Sequence, residues 1–164
     1  MFFGDYTDSP ASPLFAFGHG LSYAEFDYSS FEVEATTTAD PILVRAKVTN
    51  VARRKGTEVV QLYGSDIVAS LARPGRQLLG FTRLDLEPEE CAEVLFRIHP
   101  SRLAFFDHAM RFVTEPGEFG FGLGPSSVRL PLQAVVKLTG AVQEYRQAEI
   151  VATAVETSSS RVPG

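Results

Sequence analysis

Hydrophobic and polar residues alternate along much of the chain after residue 26. In the segment PILVRAKVTN, apolar side chains occupy every second position from Ile42 to Val48, and Arg45 and Lys47 lie between them. Successive side chains of a β-strand point to opposite faces, so this pattern predicts a half-buried strand. The segments TEVVQLYG and CAEVLFRIHP predict two more strands.

The segment GEFGFGLG alternates large apolar residues with glycine. Phe119, Phe121 and Leu123 fall on one side of the predicted strand, and the glycines leave its other side bare. A bare face allows another backbone or an aromatic ring to approach closely. The next segment, SSVRLPLQAVVKL, predicts a strand at a sheet edge, because Pro131 cannot donate to a β-ladder.

Clusters of turn-forming residues separate the apolar segments. They read ARPGRQ, LEPEE, HPSR and TEPG, and with the short strands between them they predict an all-β fold, an antiparallel β-sandwich. The sandwich is expected over residues 26–140. Residues 141–156 predict one extra strand or helix, and the polar residues 157–164 predict a disordered tail.

Composition fits one globular domain and argues against several kinds of partner. The chain has 164 residues, of which 45 % are hydrophobic and 21 % charged. Its net charge of −5 argues against nucleic-acid binding, which needs a basic surface to neutralise phosphates. No apolar run approaches the roughly 20 residues that cross a bilayer, so we expect no membrane partner. Cys91 is the single cysteine, and we expect a buried thiol without a chemical role.

The residues that could carry chemistry lack the spacing that catalysis or metal binding requires. His19, His99 and His108 show no ligand-like spacing to one another or to the cysteine. Six acidic residues fall in turns or at strand ends, and nothing around them indicates a pocket that would raise a carboxyl pKa. They are Asp5, Asp8, Asp27, Asp107, Glu115 and Glu118. We therefore expect no catalytic residue, no cofactor and no metal in this chain.

Four longer motifs follow one another along the chain. They read PLFAFGHGLSYAEF, VTNVARRKGTEVVQLY, RPGRQLLGFTRLDLEPEE and VTEPGEFGFGLGPSS. In this order they resemble the C-terminal fibronectin type III-like domain of glycoside hydrolase family 3 enzymes, over about residues 4–138. The resemblance implies an immunoglobulin/fibronectin-III-like sandwich preceded by an irregular interdomain connector, residues 1–25. Glu89 stands where the family has glycine, so we expect no positive φ at that turn.

The resemblance also implies what this chain does not contain. Family 3 enzymes of this type are retaining exo-glycosidases that act on β-linked glucose or xylose, with a carboxylate nucleophile and a carboxylic acid/base. In the family both groups lie on domains that precede the matching segment, and no residue of this chain aligns with either. We therefore expect a non-catalytic accessory domain whose partner is the catalytic portion of a longer glycosidase, with glucoside and xyloside both open as substrates.

The connector is expected to contact that catalytic portion through its apolar and aromatic residues. These are Leu14, Phe15, Phe17, His19, Leu21, Tyr23 and Phe26. If nothing covers them, we expect the chain to self-associate through the connector. Two alternatives stay open: a carbohydrate- or cell-wall-binding module that uses tyrosines as a platform, and a stand-alone adhesion or interaction domain.

Overall fold

The computed structural model describes residues 14–67, 76–146 and 150–161. In these parts of the chain, eleven strands and one short 3-10 helix follow one another. The strands are β1 (Phe26–Glu34), β2 (Ile42–Asn50), β3 (Gly56–Asp66), β4 (Gln77–Leu86), β5 (Glu90–Ile98), β6 (Phe105–Phe106), β7 (Phe112–Thr114), β8 (Gly117–Gly124), β9 (Leu132–Leu138), β10 (Gln143–Glu144) and β11 (Ala154–Arg161), and the helix is Pro100–Leu103.

Two four-stranded antiparallel sheets form a sandwich. The first sheet has the order β1-β2-β5-β11 and the second sheet the order β4-β3-β8-β9, while β10-β7-β6 form a small third sheet. The predicted all-β, antiparallel sandwich is confirmed. In an immunoglobulin constant-type domain, the fourth strand pairs with the fifth and forms the edge of the first sheet. Here β11 pairs with β5 and forms that edge instead.

The core lies between the two large sheets and follows the alternation of the sequence. Every second residue from Ile42 to Val48 is buried, as are Phe96 on β5 and Phe119 and Phe121 on β8. Full burial of such a side chain contributes about 1.5–3 kcal/mol to the free energy of unfolding. The period-two pattern therefore predicted these strands and their inward faces correctly.

The bare glycine face of β8 accommodates the loop that follows it. A Cβ atom at Gly122 would lie 2.7 Å from the Leu130 side chain, and one at Gly124 would overlap the carbonyl oxygen of Arg129. The loop thus folds back across the outer face of the second sheet, and glycine is needed for this close approach. After Pro131, β9 forms the edge of the second sheet, as predicted.

The C-terminal part of the chain differs from the expectation. Residues 143–144 and 154–161 are strands, no helix occurs in the described part of 141–156, and residues 147–149 and 162–164 lie outside the described residues. The predicted disordered tail is wrong for residues 157–161, which pair with β5 in continuous register. The ladder is made by backbone groups, so the polar side chains of TSSS do not prevent it.

A tight turn joins β4 to β5 and corrects the expectation for Glu89. The Glu90 N–H donates to the carbonyl oxygen of Glu87 (3.1 Å), and Glu89 at the third position has φ +60°. Positive φ at this position is the mark of a type II turn. The Glu89 N–H also donates to the Asn50 carbonyl oxygen (3.0 Å). The turn therefore holds this position in a left-handed conformation although the residue is not glycine.

We expect Glu89→Gly to raise the free energy of unfolding by about 0.5–1 kcal/mol. Glycine removes the left-handed strain of roughly 1–2 kcal/mol, part of which is offset by its larger entropy in the unfolded chain. Urea unfolding followed by circular dichroism measures the change. Glu89→Ala is the control, because alanine removes the carboxylate and keeps the strain; an equal gain in Glu89→Ala would contradict the explanation.

Candidate docking surface around the connector

The buried Gln61 side chain fixes the connector to the second sheet. Val60 and Leu62 point into the core, so Gln61 on β3 points to the outer face. Its Nε2 group donates to the carbonyl oxygens of Gly18 (3.0 Å) and Pro125 (2.6 Å), and its Oε1 atom accepts from the Tyr63 hydroxyl (2.6 Å). One amide thus ties together the connector, the loop after β8 and the sheet.

Gly18 is required at the contact with Gln61. Its φ is +77°, and a Cβ atom there would overlap the Gln61 amide. Next to it, the Ser127 N–H donates to the Phe17 carbonyl oxygen (3.0 Å). Hydrogen bonds to two consecutive carbonyl groups, those of Phe17 and Gly18, therefore hold the backbone of the connector.

A second set of contacts holds the end of the connector against the β2–β3 turn. The Ser22 hydroxyl donates to the Thr57 carbonyl oxygen (3.3 Å), and the Val51 N–H donates to the Glu25 carbonyl oxygen (3.0 Å). The Ala24 and Phe26 side chains pack directly against Gly56, where a Cβ atom would overlap them. Residues 17–25 thus follow the surface of the sandwich between two fixed points.

Most of the connector side chains expected to meet a neighbour point away from the domain. Five apolar ones are between 65 % and 93 % exposed: Leu14, Phe15, Phe17, Leu21 and Tyr23. His19 is also exposed, and its ring stacks on that of Phe15 with 5.1 Å between centroids. Phe26 is a correction, because it is only 8 % exposed and belongs to the core of this domain, so it has no surface to offer a partner.

The second sheet adds apolar side chains beside the connector. Val59, Phe81 and Val128 are all exposed, and they line a groove of about 880 Å³ together with Phe17 and Leu21. We call these five residues the docking surface. Sequence reasoning missed Val59, Phe81 and Val128, although Phe81 lies two residues from the outward Arg83 and could have been placed on the same face by the period of β4.

The charged part of the groove is small. Glu58 lies beside Tyr28 and Arg129 among the residues that line it. Burial raises the pKa of the Glu58 carboxyl, and the same cause together with the nearby carboxylate raises the pKa of Tyr28 above its ordinary value. A half-buried carboxyl beside one guanidinium does not supply the pair of acids that glycoside hydrolysis requires.

The outer face of the first sheet has the opposite character. Three ion pairs connect neighbouring strands there: Arg45–Glu34 (3.6 Å), Lys47–Glu93 (3.2 Å) and Arg97–Glu156 (2.9 Å). All six side chains are well exposed, so each pair adds little stability. This face is suited to water, and the extended apolar surface lies on the second sheet and the connector.

The candidate chemical groups serve structural roles or face solvent. The Asp107 carboxylate accepts from the Ala109 and Arg111 N–H groups (2.9 Å each), and these bonds with the Arg111 guanidinium hold the pKa of Asp107 below its usual range. The His99 ring accepts from the Ser101 N–H at the start of the 3-10 helix. Cys91 is partly exposed, not buried as expected.

Asp5 and Asp8 lie outside the described residues. Within the described residues, no group of three or more His, Cys, Asp or Glu side chains could hold a metal ion. Nor does any helix in the described ranges have the length and hydropathy to span a bilayer.

The described tyrosines do not form a flat exposed platform. Tyr63 is buried beneath the Gln61 contact, Tyr28 is half-buried, and the Tyr145 hydroxyl donates to the Thr38 carbonyl oxygen (3.3 Å). Tyr23 is strongly exposed but belongs to the connector. The remaining tyrosine, Tyr6, lies outside the described residues.

Comparison with known proteins agrees with this architecture. Residues 58–127 match the sequence model of the fibronectin type III-like domain family. The matched segment runs from β3 to the loop after β8 and includes Gln61 and the glycine face. This segment is a fibronectin type III-like domain, and the relatives that share it are β-glucosidases and β-xylosidases.

The relatives of the domain are much longer proteins. A periplasmic β-glucosidase of Salmonella typhimurium is 36 % identical over 76 % of this chain and 17 % of its own length. The β-glucosidase of Listeria innocua, solved with glucose, superposes with a TM-score of 0.77 at 29 % identity, over 85 % of this chain and 19 % of that one. The family 3 β-glucosidase of Bifidobacterium adolescentis gives 0.71 at 35 % identity, over 76 % and 18 %. The chain spans less than a fifth of these relatives, and other relatives carry the name β-xylosidase.

We expect Gln61→Glu to loosen the connector. The carboxylate keeps the acceptor for Tyr63 but cannot donate to the carbonyl oxygens of Gly18 and Pro125, and leaving such groups unpaired costs about 1–3 kcal/mol. Urea unfolding measures the loss, and limited proteolysis reports faster cleavage within residues 14–25. Gln77→Glu makes the same chemical change at an exposed position of β4 and serves as control. A connector that is equally protected in both variants would contradict the assigned role of Gln61.

Proposed function

We propose that this chain is a non-catalytic accessory domain of a longer family 3 glycosidase that hydrolyses β-glucosides or β-xylosides. Its role is to stabilise the catalytic portion of that protein through the docking surface and the connector. The observation that carries the proposal is the connector itself: its backbone is fixed by hydrogen bonds, while its large apolar side chains stay exposed.

The fixed backbone supports a docking role better than a passive linker does. A passive linker does not need to keep one backbone conformation. Here the Gln61 amide, the left-handed Gly18 and the Ser127 N–H together hold the connector in one conformation. An aromatic or leucine side chain contributes about 1.5–3 kcal/mol when it is fully buried, so covering Phe17, Leu21 and Phe81 would stabilise a complex substantially. The charged outer face of the first sheet offers no comparable surface.

The chemistry of the reaction supports a catalytic portion elsewhere in the longer protein. A retaining glycosidase needs two carboxyl groups roughly 5–5.5 Å apart on either side of the scissile bond. The half-buried Glu58 faces Tyr28 and Arg129 rather than a second carboxyl group. The small share of each relative that this chain covers leaves ample length for catalytic domains in those proteins.

We expect the coding region upstream of residue 1 to continue into catalytic domains, and the resulting longer protein to hydrolyse aryl β-glucosides or β-xylosides. In that protein, the triple variant Phe17→Ser, Leu21→Ser, Phe81→Ser should lower the melting temperature and the activity, because it removes the apolar contacts of the docking surface. Differential scanning calorimetry and release of nitrophenol measure the two effects.

A matched variant separates docking from a general loss of apolar surface. Met110→Ser, Val135→Ser and Val151→Ser also replace three exposed apolar residues, all of them outside the docking surface. We expect this control to leave both the melting temperature and the activity nearly unchanged. Equal losses in the two triple variants, or a coding region without catalytic domains, would refute the proposal.

A further inference from the structure

Glu58 occupies a position of β3 whose side chain falls on the inward side of the strand. Val60 and Leu62 point between the two sheets, and Glu58 lies two residues before Val60 on the same side of β3. Leu84, directly opposite Glu58 on β4, is only 6 % exposed. An apolar residue would suit such a position in an isolated sandwich, so packing within the domain does not explain the carboxyl group.

The Glu58 carboxyl group lies at the groove that the docking surface lines. Glu58 is half-buried and borders this groove together with Tyr28 of β1. The Tyr28 hydroxyl is buried beside the carboxyl group, and the Arg129 guanidinium lies close enough to favour the ionised form. In the described part of the chain, no ion pair includes Glu58. The carboxylate is therefore partly removed from water without a cation in contact with it.

The charged groups that line the groove leave it acidic. The connector contributes His19 and Glu25, β1 contributes the Tyr28 hydroxyl, and the loop after β8 contributes Arg129. The residues of β4 that line the groove are apolar. With histidine counted as neutral, two carboxylates and one guanidinium give the groove a net negative charge at neutral pH.

A partner that covers the groove has to compensate the Glu58 carboxylate. Removing a carboxylate from water is costly unless an opposite charge or hydrogen-bond donors replace the water. Apolar side chains alone would cover Phe17 and Phe81 but would leave the carboxylate less solvated than before. A cation would pair with the carboxylate and would also match the negative charge of the groove.

We propose that Glu58 is the polar anchor of the docking surface and pairs with an arginine or lysine side chain of the catalytic portion. This inference rests on the proposed accessory function, and it adds the chemistry of the partner: a basic side chain surrounded by apolar ones. The ion pair fixes the position of the partner, because charge complementarity sets the register of an interface more strictly than apolar contacts do.

The pH dependence of stability tests which kind of group meets Glu58. In the 164-residue chain, burial raises the pKa of Glu58. The stability of this chain relative to its Glu58→Gln variant should therefore fall as the pH rises from about 4 to 7. In the longer protein, a cation in contact should bring the pKa of Glu58 below its ordinary value, since such contacts lower a carboxyl pKa by about 1–3. The same difference should then rise with pH.

Differential scanning calorimetry of both proteins measures these differences. At neutral pH, Glu58→Gln should lower the melting temperature of the longer protein, because the ion pair is lost. It should leave the melting temperature of the 164-residue chain unchanged or raise it, because a partly desolvated charge is removed. Glu118→Gln makes the same chemical change at an exposed position of β8 outside the groove, and it should leave both melting temperatures nearly unchanged.

Two results would overturn the proposed anchor. A stability difference that falls with pH or stays constant in the longer protein would show that no cation meets Glu58. An equal loss of stability on Glu58→Gln in both proteins would assign the carboxyl group a role within the domain itself.

The accessory function fails by a different measurement. If the Phe17→Ser, Leu21→Ser, Phe81→Ser variant loses stability and activity while the pH dependence does not reverse, docking is retained and only the anchor is refuted. If that triple variant behaves like its matched control, the accessory function is refuted, and the anchor with it.

Discussion

The arrangement of the docking surface depends on the hydrogen bonds of the Gln61 amide. A glutamine in the middle of a core strand is costly unless all its polar atoms are paired, and here both amide hydrogens and the oxygen find partners. Because those partners come from the connector, from the loop after β8 and from Tyr63, one side chain decides how three separate segments lie. The Gln61 and Ser127 hydrogen bonds fix the backbone beside Phe17, and the Ser22 and Glu25 contacts fix the backbone that follows Leu21.

The outer faces of the two sheets differ in polarity. Cross-strand ion pairs cover the outer face of the first sheet, whereas glycines, a folded-back loop and apolar side chains make up the outer face of the second. The glycines of β8 matter for this division, because they let Arg129, Leu130 and Pro131 of the loop lie directly against the sheet. The outer face of the first sheet is therefore charged, and the outer face of the second sheet is largely apolar.

The sequence revealed those parts of the fold that depend on side-chain periodicity. Strands β2, β5 and β8 have one buried face, so the alternation of Val44, Phe96 or Phe121 with outward residues determines both the element and its orientation. Strand β11 lacks that signal, since its pairing with β5 is made by backbone groups and its side chains are mostly exposed. The positive φ of Glu89 was equally hidden, because the hydrogen bonds of the turn impose it on a residue that does not favour it.

The docking surface was only half visible in the sequence for a related reason. The connector residues are neighbours in the chain and could be recognised as a group, whereas Val59, Phe81 and Val128 come together only through strand pairing and a returning loop. Their assembly before any partner is present has an energetic consequence. A connector that is already held in one conformation loses less conformational entropy on binding than a flexible one, so more of the free energy of apolar burial remains as affinity. In the proposed docking, the hydrogen bonds of Gln61 would act on binding indirectly, because they order the apolar residues before contact is made.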